Sequence, residues 1–212
     1  MKRKTDRFTV FLLTFSILTA LILPLSAVLP SASDLTIYEK IIRLHVLANS
    51  DSDADQALKL RVRDGILETV AEIVGDITDR DAAEAALREQ LGKIEHAAAD
   101  VLRREGSDYS VSVTLTEEAY PTREYENYTL PAGTYTSLRV LIGEAEGRNW
   151  WCVLFPQLCI GMQDAPDVTV IAEPDALIEA GLTPSQIRII TGDSAGVKIK
   201  FRLVELLAAI FS

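Results

Sequence analysis

The stretch IIRLHVLANSDSDADQALKLRVRDGIL, Ile41 to Leu67, decides how this 212-residue chain is read. Its first third alternates. Ile42, Leu44 and Val46 fall on one side and Ile41, Arg43 and His45 on the other, which predicts a strand with one more polar face. Further on, Leu58, Val62, Ile66 and Val70, joined by Leu60, Leu67 and Val74, recur at helical spacing and predict a helix ending near Gly75. Between strand and helix lie Asn49, Ser50, Asp51, Ser52, Asp53 and Asp55. Ser50 and Ser52 each stand three residues ahead of an aspartate, a capping-box pattern with Asp in place of Glu or Gln. Either serine is a candidate helix cap, and the aspartates suit the positive end of the helix dipole.

Outward from this junction, a second helix is expected over Asp79–Glu105, with Leu87, Leu91, Ile94, Val101 and Leu102 as its apolar side and Gly106 as its stop. The period then changes to two. YSVSVTLT (Tyr109–Thr116), TYTSLRVLIG (Thr134–Gly143) and NWWCVLFP (Asn149–Pro156) read as strands, and the short Glu144–Arg148 connection predicts an antiparallel pair of the last two. Between the first two runs AYPTREYENYTLPAG, Ala119–Gly133, long and rich in Tyr and Pro. Beyond Met162 the pattern predicts short helices around Pro174–Ala180 and Pro184–Ile190, then an alternating strand VKIKFRL, Val197–Leu203, whose Lys198, Lys200 and Arg202 suit a solvated edge. The expected fold is α+β: a mostly antiparallel sheet with two long helices packed on one face.

The N-terminus has a different character. Lys2, Arg3, Lys4 and Arg7 precede the uncharged run Phe8–Leu29, broken by Pro24 and followed by small residues such as Ser26, Ala27 and Ser31–Ser33. A basic flank ahead of an apolar run is an export signal, here a signal peptide or a membrane anchor over residues 1–33, with one extracytoplasmic domain over 34–212. Membrane contact is expected only through that segment. The chain carries a net charge of −10; without the four basic residues and Asp6 of the segment, the remainder has 17 basic and 30 acidic residues, or −13. A surface of that sign argues against nucleic acid as a partner. The only two cysteines, Cys152 and Cys159, lie in the exported part and are expected to form one disulfide around a chain reversal near Pro156.

No catalytic apparatus or cofactor motif is complete. His96 sits off the apolar stripe of its helix. His45, close in sequence to Asn49 and Asp51, is the better candidate, and an extracytoplasmic hydrolase using His45 with Asp51 is one reading; no Gly-x-Ser-x-Gly elbow supports it. DSDAD begins like a calcium loop but puts Val62 where the twelfth-position Glu belongs, so no metal site is expected. Tyr120, Tyr125, Tyr128, Trp150 and Trp151 suit core and hairpin packing, with partner contact open for some of them. Arg123, Tyr125 and Tyr128 on the Tyr120–Leu130 loop, with Arg43 and His45 on the polar side of the first strand, are the candidate partner-binding residues.

RLHVLANSDSDADQALKLRVRD and YPTREYENYTLPAGTYTSLRVLIGEAEGRNWWCVLFPQLC together resemble the stage II sporulation protein R family of endospore-forming bacteria. The likeness runs from Thr36 to about Met162, with Glu126 and Ala145 standing where glycines are expected and Gln157 where a second proline is. The resemblance implies a signalling protein, not an enzyme. It would be made in the forespore, exported into the space between forespore and mother-cell membranes, and would trigger a membrane-bound aspartyl protease to process a sigma-factor precursor. No cofactor is implied.

Overall fold

The computed structural model of the protein describes residues 12–16, 19, 34–125, 128–157, 177–178, 181–183, 186–187 and 190. A 3-10 helix, Asp34–Lys40, leads into strand β1, Ile42–Leu47. Helices α1 (Asp53–Val74), α2 (Arg80–Glu89) and α3 (Leu91–Arg104) follow, then β2 (Val111–Tyr120), the short β3 (Arg123–Glu124) and β4 (Thr129–Leu130), β5 (Gly133–Ile142) and β6 (Asn149–Phe155). The class is α+β.

Three expectations change. The helix expected over Asp79–Glu105 is two helices, broken at Gln90, whose φ of −105° and ψ of 16° leave the helical region. Gln90 ends α2 and its carbonyl opens α3 by accepting from the Ile94 amide, beside Gly92, a poor helix former. The sheet is mixed: its strand order is β2-β5-β1-β6, with β1 parallel to β5 and antiparallel to β6. The antiparallel pair expected of β5 and β6 is absent from that sheet, because β1 lies between them.

The physical reason is in the connection. Strands two places apart are about 10 Å distant, well within the reach of five residues. Glu144–Arg148 therefore steps over the end of β1 and is bonded to it: the Gly147 amide donates to the Ala48 carbonyl at 2.9 Å and the Glu146 amide to the Asn49 carbonyl at 3.2 Å. The Asn49 side chain accepts from the Glu144 amide at 3.0 Å, and Asp51 from the Arg148 amide at 2.7 Å. The approach is close enough that a Cβ on Gly147 would stand 2.2 Å from the Ser50 carbonyl oxygen.

Alternation then gives the sheet two unlike faces. One carries Leu44, Val46, Val113, Leu115, Leu138, Val140 and Cys152, all buried. It packs against Val62, Ile66 and Val70 of α1 and Ile94, Ala98 and Val101 of α3, each large apolar side chain contributing about 1.5–3 kcal/mol. The two helices cross where Gly65 meets Val101, leaving no room for a Cβ. The other face carries Arg43, His45, Glu118, Tyr120, Tyr135, Ser137 and Trp151.

Of the apolar N-terminal run, Leu12–Ser16 and Thr19 are described and helical; the rest of that segment lies outside the described residues. Among the described residues no helix is long and apolar enough to cross a membrane. The expected strand Val197–Leu203, with Lys198, Lys200 and Arg202, also lies outside them, as does most of the two expected short helices.

The connection yields a paired prediction. Ala145 holds φ +55°, a left-handed conformation that disfavours a Cβ. Ala145→Gly should raise stability by about 0.5–1 kcal/mol, whereas Gly147→Ala, which meets backbone, should cost about 1–3 kcal/mol. Urea unfolding of both variants checks the two signs.

Candidate partner-binding site

The polar cluster after β1 is a junction. Ser52 is the N-cap of α1, its hydroxyl accepting from the Asp55 amide at 3.2 Å. Ser50 acts beside it, donating to Asp55 Oδ2 at 2.5 Å and accepting from the Ser52 amide. Asn49 donates to the same carboxylate oxygen at 2.9 Å, and these bonds from Asn49 and Ser50 hold the Asp55 carboxyl below its ordinary value. Lys59, one turn on, donates to Gln56 at 2.7 Å and to the Arg148 carbonyl at 2.9 Å; loss of water, then the nearby Arg148 charge, push its pKa down to about 8.

His45 is positioned by β1 on the opposite side from α1. Its Nδ1 is 2.8 Å from Glu118 Oε1 and its Nε2 is 2.8 Å from Asn149 Oδ1. Pairing of His45 with Asp51 is thereby corrected: both ring nitrogens are engaged elsewhere, and Asp51 is bonded to the Arg148 amide. His96 is exposed on α3, 3.5 Å from Asp100. Behind His45 the chain of bonds continues, Ser137 to the Tyr120 hydroxyl at 2.7 Å and that hydroxyl to Glu118 Oε2 at 3.1 Å.

Arg43, two residues earlier on the same face, is wholly buried. Its guanidinium carbon lies 4.3 Å from the Tyr120 ring centre, 5.3 Å from that of Tyr135 and 5.9 Å from that of Tyr125. Nε donates to the Cys152 carbonyl at 3.2 Å and Nη2 to the Tyr125 hydroxyl at 2.6 Å. Burial pushes the phenols of Tyr120, Tyr125, Tyr128 and Tyr135 up, so all four are neutral near pH 7.

The β3–β4 hairpin folds back over this cage. Tyr125 and Tyr128 stack with ring centres 4.4 Å apart, and the Arg123 guanidinium sits 3.7 Å above the Trp151 ring. Arg43, His45, Arg123, Tyr125 and Tyr128 are thus gathered into one cluster, in which Arg43, His45 and Tyr128 are buried and Arg123 and Tyr125 half-buried. On the Tyr120–Leu130 loop Tyr128 turns inward, 2% exposed, while Arg123 and Tyr125 are half-buried and Pro121 and Glu124 are exposed. Glu118 and Asn149 complete the cluster and were not singled out in the sequence. The alternation of β2 puts Glu118 on the Thr114–Thr116 side, yet only the strand order brings it to His45. Cys152 is buried and disulfide-bonded on β6, and Cys159 lies outside the described residues.

Asp55 supplies a pH prediction. Its folded carboxyl binds a proton less readily than the unfolded one, so its contribution is complete above the ordinary value of 3.8 and is lost as pH falls below it. Asp55→Asn should flatten the acid loss of stability below that pH, and Asp55→Ala should cost about 1–3 kcal/mol at neutral pH by stranding two donors. Denaturant midpoints across an acid pH series give both results.

Comparison with known proteins agrees with the sequence pattern. The family described as stage II sporulation protein R matches residues 38–164. Stage II sporulation protein R of Bacillus subtilis (strain 168) is 33% identical over 186 residues, covering 82% of this chain and 83% of that protein. No solved structure matches the chain. Both matches span the junction, the β3–β4 hairpin and the Arg43 cage, and the chain belongs to the stage II sporulation protein R family, with a role in sporulation.

Proposed function

We propose that this protein is an exported sporulation signal that activates a membrane-bound aspartyl protease, which in turn processes a sigma-factor precursor. Membership of the family carries the reading. The chain acts in the space between forespore and mother-cell membranes, delivered there by the basic, then apolar, N-terminal segment, and its Cys152–Cys159 bridge forms in that compartment. It binds the protease as a protein ligand and performs no bond cleavage itself. The chemistry of the polar sheet face supports this division of labour. A general base needs a ring nitrogen within reach of a substrate proton, and both nitrogens of His45 are held by Glu118 and Asn149.

Co-expression in a non-sporulating host tests the reading. The precursor should be cleaved when chain, protease and precursor are all present and should stay intact when any one is left out. Cleavage by the purified chain alone, or none with all three, overturns it. Alkylation of the exported protein without reduction should modify neither cysteine, as read by mass spectrometry.

A further inference from the structure

Among the described strands β2 has one neighbour, β5. The two pair from Val111 to Tyr120 without a register shift, so the backbone groups of β2 alternate strictly between β5 and the outer side. The Val113 amide shows which residues point outward, because it donates to Glu95 Oε2 of α3 at 3.0 Å. The amides of Leu115, Glu117 and Ala119 point the same way, and among the described residues none of them has a hydrogen-bond partner there. Thr114, Thr116, Glu117 and Ala119 are exposed, so this stretch of the edge is open to approach. A long edge rich in Val and Thr, without proline or bulge, is a template for a further strand. Glu95 blocks it at Val113 and leaves Leu115–Ala119 unguarded.

The side chains along the edge set what kind of strand fits. Leu115 and Glu117 lie on one side of the sheet, Thr114 and Thr116 on the other. Leu115 belongs to the hydrophobic core, so an aliphatic side chain beside it extends that core. Glu117 lines a cleft with Glu39, Lys40, Asp79, Arg80 and Asp81. Four carboxylates meet two cations there, and Arg80 is already paired with Asp81 at 2.9 Å and with Glu84 at 2.6 Å. A cationic side chain beside Glu117 therefore gains. A second copy does not fit this edge. Two-fold pairing about Leu115 would bring Glu117 of each chain toward Glu95 of the other, between chains of net charge −10.

We propose that the outer edge of β2 is a strand-docking site: an extended segment of a protein partner adds beside Leu115–Ala119 as a further strand of the sheet. Its carbonyls accept from the outward amides, an aliphatic side chain lies beside Leu115, and a Lys or Arg lies beside Glu117. Main-chain bonds supply the affinity in such pairing, and alternate side chains the selectivity. The inference deepens the proposed function by naming the contact, and it rests on that reading only for which protein carries the segment.

The blocked heptapeptide Thr-Val-Thr-Lys-Thr-Val-Thr, which reads the same in both strand directions, serves as the probe. It is titrated, with a fluorescent label, into the full chain in mild detergent at low ionic strength. Saturable binding by anisotropy is expected, together with slower hydrogen exchange, read by NMR, at the Leu115, Glu117 and Ala119 amides. The peptide methylated on every backbone nitrogen should be silent, and the peptide with Glu in place of Lys should bind about tenfold or more weakly. Ala119→Pro removes an outward amide without breaking the ladder to β5. It should weaken binding by about tenfold, with a melting temperature near that of the unaltered protein. No binding by the unaltered protein, undiminished binding of the methylated peptide, or slowed exchange only outside β2 overturns the proposal. If the three amides are already protected without peptide and no peptide binds, the edge is taken by the chain's own residues or by a second copy, and the partner form is overturned. Should Ala119→Pro fail to fold, the methylated peptide still decides, since it leaves the protein unaltered. Because the titration involves no protease, failure of the co-expression experiment leaves this result standing, and the reverse.

Discussion

Asn49 holds three parts of the chain in place at once. Its side-chain oxygen takes the amide of Glu144, its side-chain nitrogen reaches Asp55 at the start of α1, and its backbone oxygen takes the amide of Glu146. The β5–β6 connection is thereby fixed across the end of β1, and α1 is fixed to the same point. With β1 locked between β5 and β6, the sheet is mixed, and β1 is buried on both faces over nearly its whole length. Everything distinctive about the polar face follows from that central position. On an edge strand Arg43 and His45 would reach water; in the centre they must find partners from the strands around them.

Helix α1 answers the same constraint in a different way. Its buried side includes Asp55, Lys59 and Arg63 as well as Leu58, Val62 and Ile66. The charged residues fall one turn apart and tie the helix to what lies beneath: Asp55 to Asn49 and Ser50, Lys59 to the Arg148 carbonyl, and Arg63 to the Trp150 ring, 4.4 Å from its guanidinium carbon. Lys59 bears a cost for this, since its charged form is disfavoured once water is removed. Its depressed pKa makes the fold gain stability as pH rises from about 8 toward the ordinary 10.5, the reverse of a lysine held by a carboxylate. The junction thus trades some stability for a fixed register between helix and connection.

On the opposite face, Arg43 and Arg123 sit on aromatic rings, while Arg139 lies 3.9 Å from the Glu118 carboxylate. Arg43 over Tyr120 and Arg123 over Trp151 gain from the ring quadrupoles, each worth about 0.5–2 kcal/mol, less than a buried guanidinium gives up in hydration. Departures from full pairing are expected where a protein has a task beyond folding.

The sequence by itself determined the elements that local chemistry governs. The alternation of Ile42 to Leu47 and of Val111 to Thr116, the capping serines before an acidic turn and the apolar spacing of α1 each depend on residues a few positions apart, and they were legible. It also held the family pattern, through ANSD, DQALK and NWWC. What only the tertiary structure decided was which strands are neighbours. A short connection such as Glu144–Arg148 suits a hairpin or a step over one intervening strand equally well, and the choice was made by Asn49, about a hundred residues away. The same holds for the cage. Arg43, His45, Arg123, Tyr125 and Tyr128 could be named from the sequence, but their convergence on one cluster, and the parts played by Glu118 and Asn149, depend on strand order and on a hairpin folding back. Those are contacts between distant positions, settled by burial and hydrogen-bond partnership rather than by any local preference of the chain.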